Sequence, residues 1–154
     1  MARDELERVK DRRASLYRAT LALEEALAAP AGDLGQWCKA ANEAASDMAD
    51  RIAEHIESSE RPGEFLSSIV EAAPHLVNAT RKLIDEHGLM REAAAELIGL
   101  LSAPPSPSDA EGEAEVAESI REAGLRLMGL VVRHRQKGAD LSYAAYQEDL
   151  GSSG

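Results

Sequence analysis

Residues 74–102 read PHLVNATRKLIDEHGLMREAAAELIGLLS, and the recurrence of their apolar residues decides what kind of fold this chain can make. Leu76, Thr80, Leu83, His87, Met90, Ala94, Leu97 and Leu101 return every three or four positions. That is the period of one helix face and not the alternation of a strand. Pro74 suits the first turn of such a helix, where its missing N–H would have no intrahelical partner anyway. One member of the row breaks the pattern: His87 stands where an apolar core residue belongs. A buried polar side chain left without a partner costs about 1–3 kcal/mol, so an inward histidine must find something to bind.

Working outward, the same period appears in three more segments. About residues 4–29 carry Leu6, Val9, Arg13, Leu16, Thr20, Leu23 and Leu27 on one row, stopped by Pro30-Ala31-Gly32, and Asp33 is a good N-cap for the next helix. About residues 34–59 place Leu34, Trp37, Ala41, Ala45, Met48, Ile52, His55 and Ser59 inward, flanked by Cys38 and Ile56, with Trp37 packing across one end of a bundle. About residues 113–137 carry Val116, Ile120, Ala123, Leu127, Leu130 and His134, and the row continues past them through Gly138, Leu141 and Ala145. Between these lie a short amphipathic helix over 64–72, with Phe65, Leu66, Ile69 and Val70, and a Pro/Ser linker over 103–112. Gly138 either ends the last helix or admits a close neighbour, and a tail over 138–150 adds Leu141, Tyr143 and Tyr146 to a closing layer. The spacing therefore predicts an all-α fold: one antiparallel up-down-up-down four-helix bundle over residues 1–150.

Composition agrees with that fold and removes several function classes. Hydrophobic residues make up 44% of the 154 but aromatics only 3%, so the core must be aliphatic and alanine-rich. A net charge of −11 disfavours binding to nucleic acid or an anionic membrane, since phosphate contact needs a basic face. No run of about 18 apolar residues offers a membrane span. The opening MARDELERVK has no apolar core of a secretion signal, which predicts a cytoplasmic protein. A single cysteine, Cys38, excludes an internal disulfide and reads as a buried apolar side chain. There is no Gly-rich phosphate loop, HExxH or nucleophile elbow.

What remains is the set of polar breaks, one per helix: Arg13, His55, His87 and His134. Four such groups facing one interior must satisfy one another, hold water or bind a ligand. His75 stands apart, rotated by about 120° from His87 at about 100° per residue, and should face solvent.

The placement of His55 late in the second helix, Asp85-Glu86-His87 in the third, Arg133-His134 near the end of the fourth and the closing ADLSYAAYQEDLG resembles the hemerythrin-like, or HHE cation-binding, bundles. That resemblance implies a bundle enclosing two non-haem irons held by histidines and carboxylates, with His55, His87 and His134 carried over as metal ligands. The chain departs from the pattern at several ligand positions. Arg13 replaces a first-helix histidine, and an arginine stays protonated with no lone pair to give. Ser59 stands at the bridging carboxylate, with Glu60 about 100° away around the helix. Leu83 and Arg91 flank His87 where a second histidine would be, and Gly138 or Ala139 falls at the final carboxylate. A di-iron centre is therefore not expected.

The resulting expectation is a degenerate site with no cofactor: a non-catalytic binding or structural protein, acting through a protein partner, self-association or a small ligand in the cavity. Arg13 would fill the old metal cavity, neutralised by a carboxylate such as Glu60 or Glu86. The alternative is a three-histidine site for one Zn²⁺ or Fe²⁺ at His55, His87 and His134, oxygen-binding or enzymatic. The three-histidine pattern is also similar to that of DinB-like bundles, but those place two histidines four apart on one helix, and this chain has no such pair.

Overall fold

A computed structural model describes the backbone of residues 2–153 and the side chains of residue 4 and residues 7–147. Four long helices and one short one make up the chain: α1 (Ala2–Ala28), α2 (Leu34–Glu60), α3 (Phe65–Ala72), α4 (Val77–Ser102) and α5 (Ala110–Ser153). A single 3₁₀ turn, Pro74–Leu76, precedes α4, and no strand occurs among the described residues. Among the described residues no helix is long and apolar enough to cross a membrane.

The boundaries follow from local chemistry. The Asp33 carboxylate accepts the Gln36 N–H at 3.1 Å and so caps α2. The Gly112 N–H donates to Asp109 at 2.8 Å and does the same for α5. Between α2 and α3 the chain turns at Gly63, whose φ of 82° is open to glycine and strained for other residues. Residues 103–109, Pro-rich and without a helix, separate α4 from α5.

Helix α2 packs against α1 on one side and α4 on the other. Helix α4 packs against α5, which also meets α1, while α3 touches α2, α4 and α5. The main apolar cluster runs through the four long helices, with Leu23, Met48, Ile52, Met90, Leu97, Ile120 and Leu127 at its centre. A second, smaller cluster joins Leu66 and Ile69 of α3 to Leu83 of α4 and to Leu141 and Ala145 of α5. Along α2 and α4 the expected rows are the buried ones, except that His55 and Leu76, the latter in the 3₁₀ turn, are half-buried. On α1 the register shifts: Ala19 is buried beside Leu16, Leu23 and Leu27, while Thr20 is half-buried and Arg13 is exposed. The Thr20 hydroxyl is satisfied on its own helix, donating to the Leu16 carbonyl at 2.8 Å. Leu6 lies outside the described side chains.

The last helix is longer than the sequence spacing suggests. It runs through Gly138 without a break, because one glycine in a helix interior costs only about 1 kcal/mol and Leu141 and Ala145 still bury one turn apart. Gly138 neither ends the helix nor admits a close neighbour, since nothing lies within 4 Å of where its Cβ would be. On a continued helix Tyr143 and Tyr146 turn away from the row of Leu141, and they are 66% and 60% exposed instead of closing the core.

One end of the bundle is clamped by polar contacts to the last carbonyls of α1. The Arg121 guanidinium donates to the carbonyls of Leu27 at 2.8 Å and Ala29 at 3.1 Å, and the Trp37 indole donates to Ala29 at 3.0 Å. Arg121 also lies 5.1 Å from the Trp37 ring centre, a cation–π pair. These contacts satisfy helix-end acceptors that have no intrahelical donor. Close by, Gly124 of α5 faces Leu27 with no room for a Cβ in between. Gly124→Val should therefore lower stability by about 1–3 kcal/mol through overpacking, read as a lower urea midpoint with an unchanged m-value.

Candidate metal centre

The two apolar clusters leave a polar layer between them, and three histidines occupy it. His87 lies on α4 between Leu83 of the smaller cluster and Met90 of the larger. His134 lies on α5 between Val131 and Leu141, and His55 follows Ile52 on α2. His87 is 2% and His134 4% exposed, and His55 is half-buried. The three helices thus bring together residues 32 to 79 positions apart.

Their ring nitrogens converge. His134 Nε2 lies 3.1 Å from His55 Nε2 and 3.1 Å from His87 Nε2. One nitrogen from each ring lies within 4.8 Å of the others. The rings meet edge-on or tilted, at 88°, 88° and 60°, and none is stacked face to face. A cation held at 2.0–2.1 Å by tetrahedral nitrogens would separate them by about 3.3–3.4 Å, close to the two 3.1 Å contacts at His134 Nε2.

Carboxylates hold the other nitrogens. His87 Nδ1 lies 2.7 Å from Glu60 Oε1, and His134 Nδ1 lies 3.2 Å from Glu86 Oε1. An ionised carboxylate only accepts, so each Nδ1 carries the hydrogen and a neutral ring then has a bare lone pair at Nε2. His134 Nε2 can take one well-directed hydrogen, yet it has two nitrogen neighbours at 3.1 Å. No assignment of protons satisfies both contacts as well as one cation at the common point would. Lys137 in turn donates to Glu86 Oε2 at 2.7 Å.

The electrostatics favour the neutral form of His55 and His134. Burial, then the charges of His134, His87, Arg13 and Arg135, push His55 down to about 3. Burial and His87 also lower His134, outweighing the opposing pull of Glu86. Burial would raise Glu86, but its hydrogen bonds to Lys137 and His134 carry it below the usual carboxylate range.

Beside the histidines opens a cavity of about 420 Å³ to which all five helices contribute. Arg13 is found on its rim, exposed to solvent and not packed into the space between the rings. The expected partnership of Glu60 or Glu86 with Arg13 is replaced by their bonds to His87 and His134. The physical reason is the α1 register, which puts Leu16 and not Arg13 on the buried row. Ser59 is buried, and its hydroxyl donates to the His55 carbonyl at 2.6 Å, so it turns back on its own helix. Cys38 is buried at the opposite part of the core among apolar neighbours, where burial raises its thiol pKa.

Sequence reasoning missed Lys137 as a partner of Glu86, and Arg12 and Arg135 as cavity residues. Lys137 sits three residues after His134, a neighbouring position on the same helix surface, which was the one available signal. Comparison of the chain with protein-family models, with curated proteins and with solved structures gave no match in any of the three.

The shifted histidines make acid sensitivity a direct readout. Below about pH 6.5 the unfolded chain protonates these rings while the folded chain resists, so it is the unfolded state that binds more protons. Stability of the metal-free protein is present above the unfolded histidine value and is lost as pH falls towards the lowered folded values, about 3 for His55. The urea midpoint should thus be lower at about pH 5 than at about pH 7, and His55→Leu should shrink that difference.

Proposed function

We propose that the protein binds a single divalent metal ion, Zn²⁺ or Fe²⁺, through the Nε2 atoms of His55, His87 and His134. The observation that carries this reading is the pair of 3.1 Å contacts at His134 Nε2 while Glu60 and Glu86 occupy the Nδ1 atoms of His87 and His134. Such carboxylate–histidine pairs orient a ring and raise its basicity towards a metal. Glu60 also brings a negative charge close to a dication that imidazoles alone would leave uncompensated, while the charge of Glu86 is shared with Lys137.

The four long helices are read as an antiparallel up-down-up-down bundle, with their connections at the two ends. We read His55, His87 and His134 as marks of a hemerythrin-like origin. Di-iron chemistry is not part of that reading, because the nearby carboxylates are engaged on the outer nitrogens and no bridging oxygen ligand among the described residues faces the common point. The metal-free reading, with Arg13 in the cavity, is less well supported because Arg13 is exposed at the rim.

Three protein ligands leave a further position directed at the cavity, the pattern of a catalytic site more than of a closed structural one. When bound, the ion would supply Lewis acidity and a water of lowered pKa. The chain's own part is to present three imidazole nitrogens, hold the His87 and His134 rings through their Nδ1 hydrogens, and shelter one face behind apolar residues.

Metal content measured on untagged protein should approach one ion per chain. His87→Ala should abolish it with the helical circular dichroism retained, and Glu86→Ala should weaken affinity by about 10–100-fold. Binding that persists unchanged in His87→Ala would sink the reading.

A further inference from the structure

The cavity beside the histidines has a charge opposite to that of the protein. In a chain of net charge −11, three arginines line it, Arg12 and Arg13 from α1 and Arg135 from α5, against one acid, Glu64. None of the three forms an ion pair among the described residues. Arg135 is held over the Tyr17 ring at 5.5 Å, which positions its guanidinium without neutralising it. Arg12 is half-buried, and Arg13 and Arg135 are exposed at the rim. The wall also carries apolar side chains, Val9, Leu16, Phe65, Leu66 and Leu83, beside serines, Gln136 and the three histidines.

Unpaired arginines clustered on an acidic protein focus positive potential into the cleft and draw anions towards it. Their planar forks match carboxylate oxygens two at a time. An apolar wall gives no return to a fully hydrated inorganic ion, but it favours an alkyl or aryl body. A volume of about 420 Å³ is in the range of small-ligand sites, about 300–1,000 Å³.

We infer that this cavity binds a small organic carboxylate, its acid group met by Arg12, Arg13 and Arg135 and its apolar body lying against Leu16, Phe65 and Leu66, next to the metal position. The inference deepens the metal-ion reading and rests on it for the identity of the neighbouring site, but the arginine subsite is built from separate residues. It makes the carboxylate the ligand class that is selected, with the histidine layer at the inner end of the cavity.

The full-length protein is titrated with Co²⁺, whose visible absorption reports histidine coordination, and then with hexanoate, hexanamide and inorganic phosphate by calorimetry. The expected result is hexanoate binding at least about tenfold tighter than hexanamide or phosphate. Arg13→Gln combined with Arg135→Gln should remove that preference while leaving the Co²⁺ spectrum of the unliganded protein unchanged. Equal affinity for acid and amide, or a preference that survives the double substitution, overturns the inference. Phosphate binding as tightly as hexanoate overturns the organic-ligand assignment. If Co²⁺ gives no histidine spectrum, the metal-ion reading fails by itself. The same calorimetry on metal-free protein then decides the carboxylate subsite, with hexanoate selectivity supporting it and its loss overturning it.

Discussion

His134 Nε2, with two other imidazole nitrogens each 3.1 Å away, is the constraint around which this part of the helical fold is arranged. A buried nitrogen can be satisfied by one directed hydrogen or by a cation, and this one has more neighbours than hydrogens can serve. The surrounding structure is committed to that geometry. Glu60 reaches across from the end of α2 to hold His87, and Glu86 holds His134 while Lys137 holds Glu86. Each bond fixes a ring orientation that packing alone would leave to rotate.

The layer divides the apolar interior into two parts with different tasks. The larger cluster, clamped by Arg121 and Trp37 on the carbonyls of α1, carries the aliphatic and alanine packing of the long helices. The smaller cluster, built on α3 and the extension of α5, covers the far side of the histidines. Placing polar groups between two apolar regions lowers the effective dielectric around them, which strengthens their mutual interactions and makes an unsatisfied member expensive. The same burial keeps His55 and His134 neutral and therefore able to donate lone pairs.

The helical class and most buried rows were legible from periodicity, because an amphipathic helix writes its inward face every three or four residues. In α2 and α4 those rows hold down to Ser59 and His87. The α1 row went astray at Arg13 and Thr20, where alanine at position 19 could bury as readily as threonine at 20 and apolarity alone did not choose. The run through Gly138 was also illegible locally, since a glycine is compatible with both a stop and a continuation. What decided it was Leu141 and Ala145 finding the α3 cluster.

The sequence by itself determined that the described chain is helical and that His55, His87 and His134 fall on the inward rows of three separate helices. Those properties depend on residue type and on spacing within single helices. Only the tertiary structure decided that the three Nε2 atoms meet, that Glu60 and Glu86 serve histidines instead of Arg13, and that arginines from α1 and α5 share one cavity wall. Those facts depend on how far one helix is shifted and rotated against another, and the period within each helix carries no record of that.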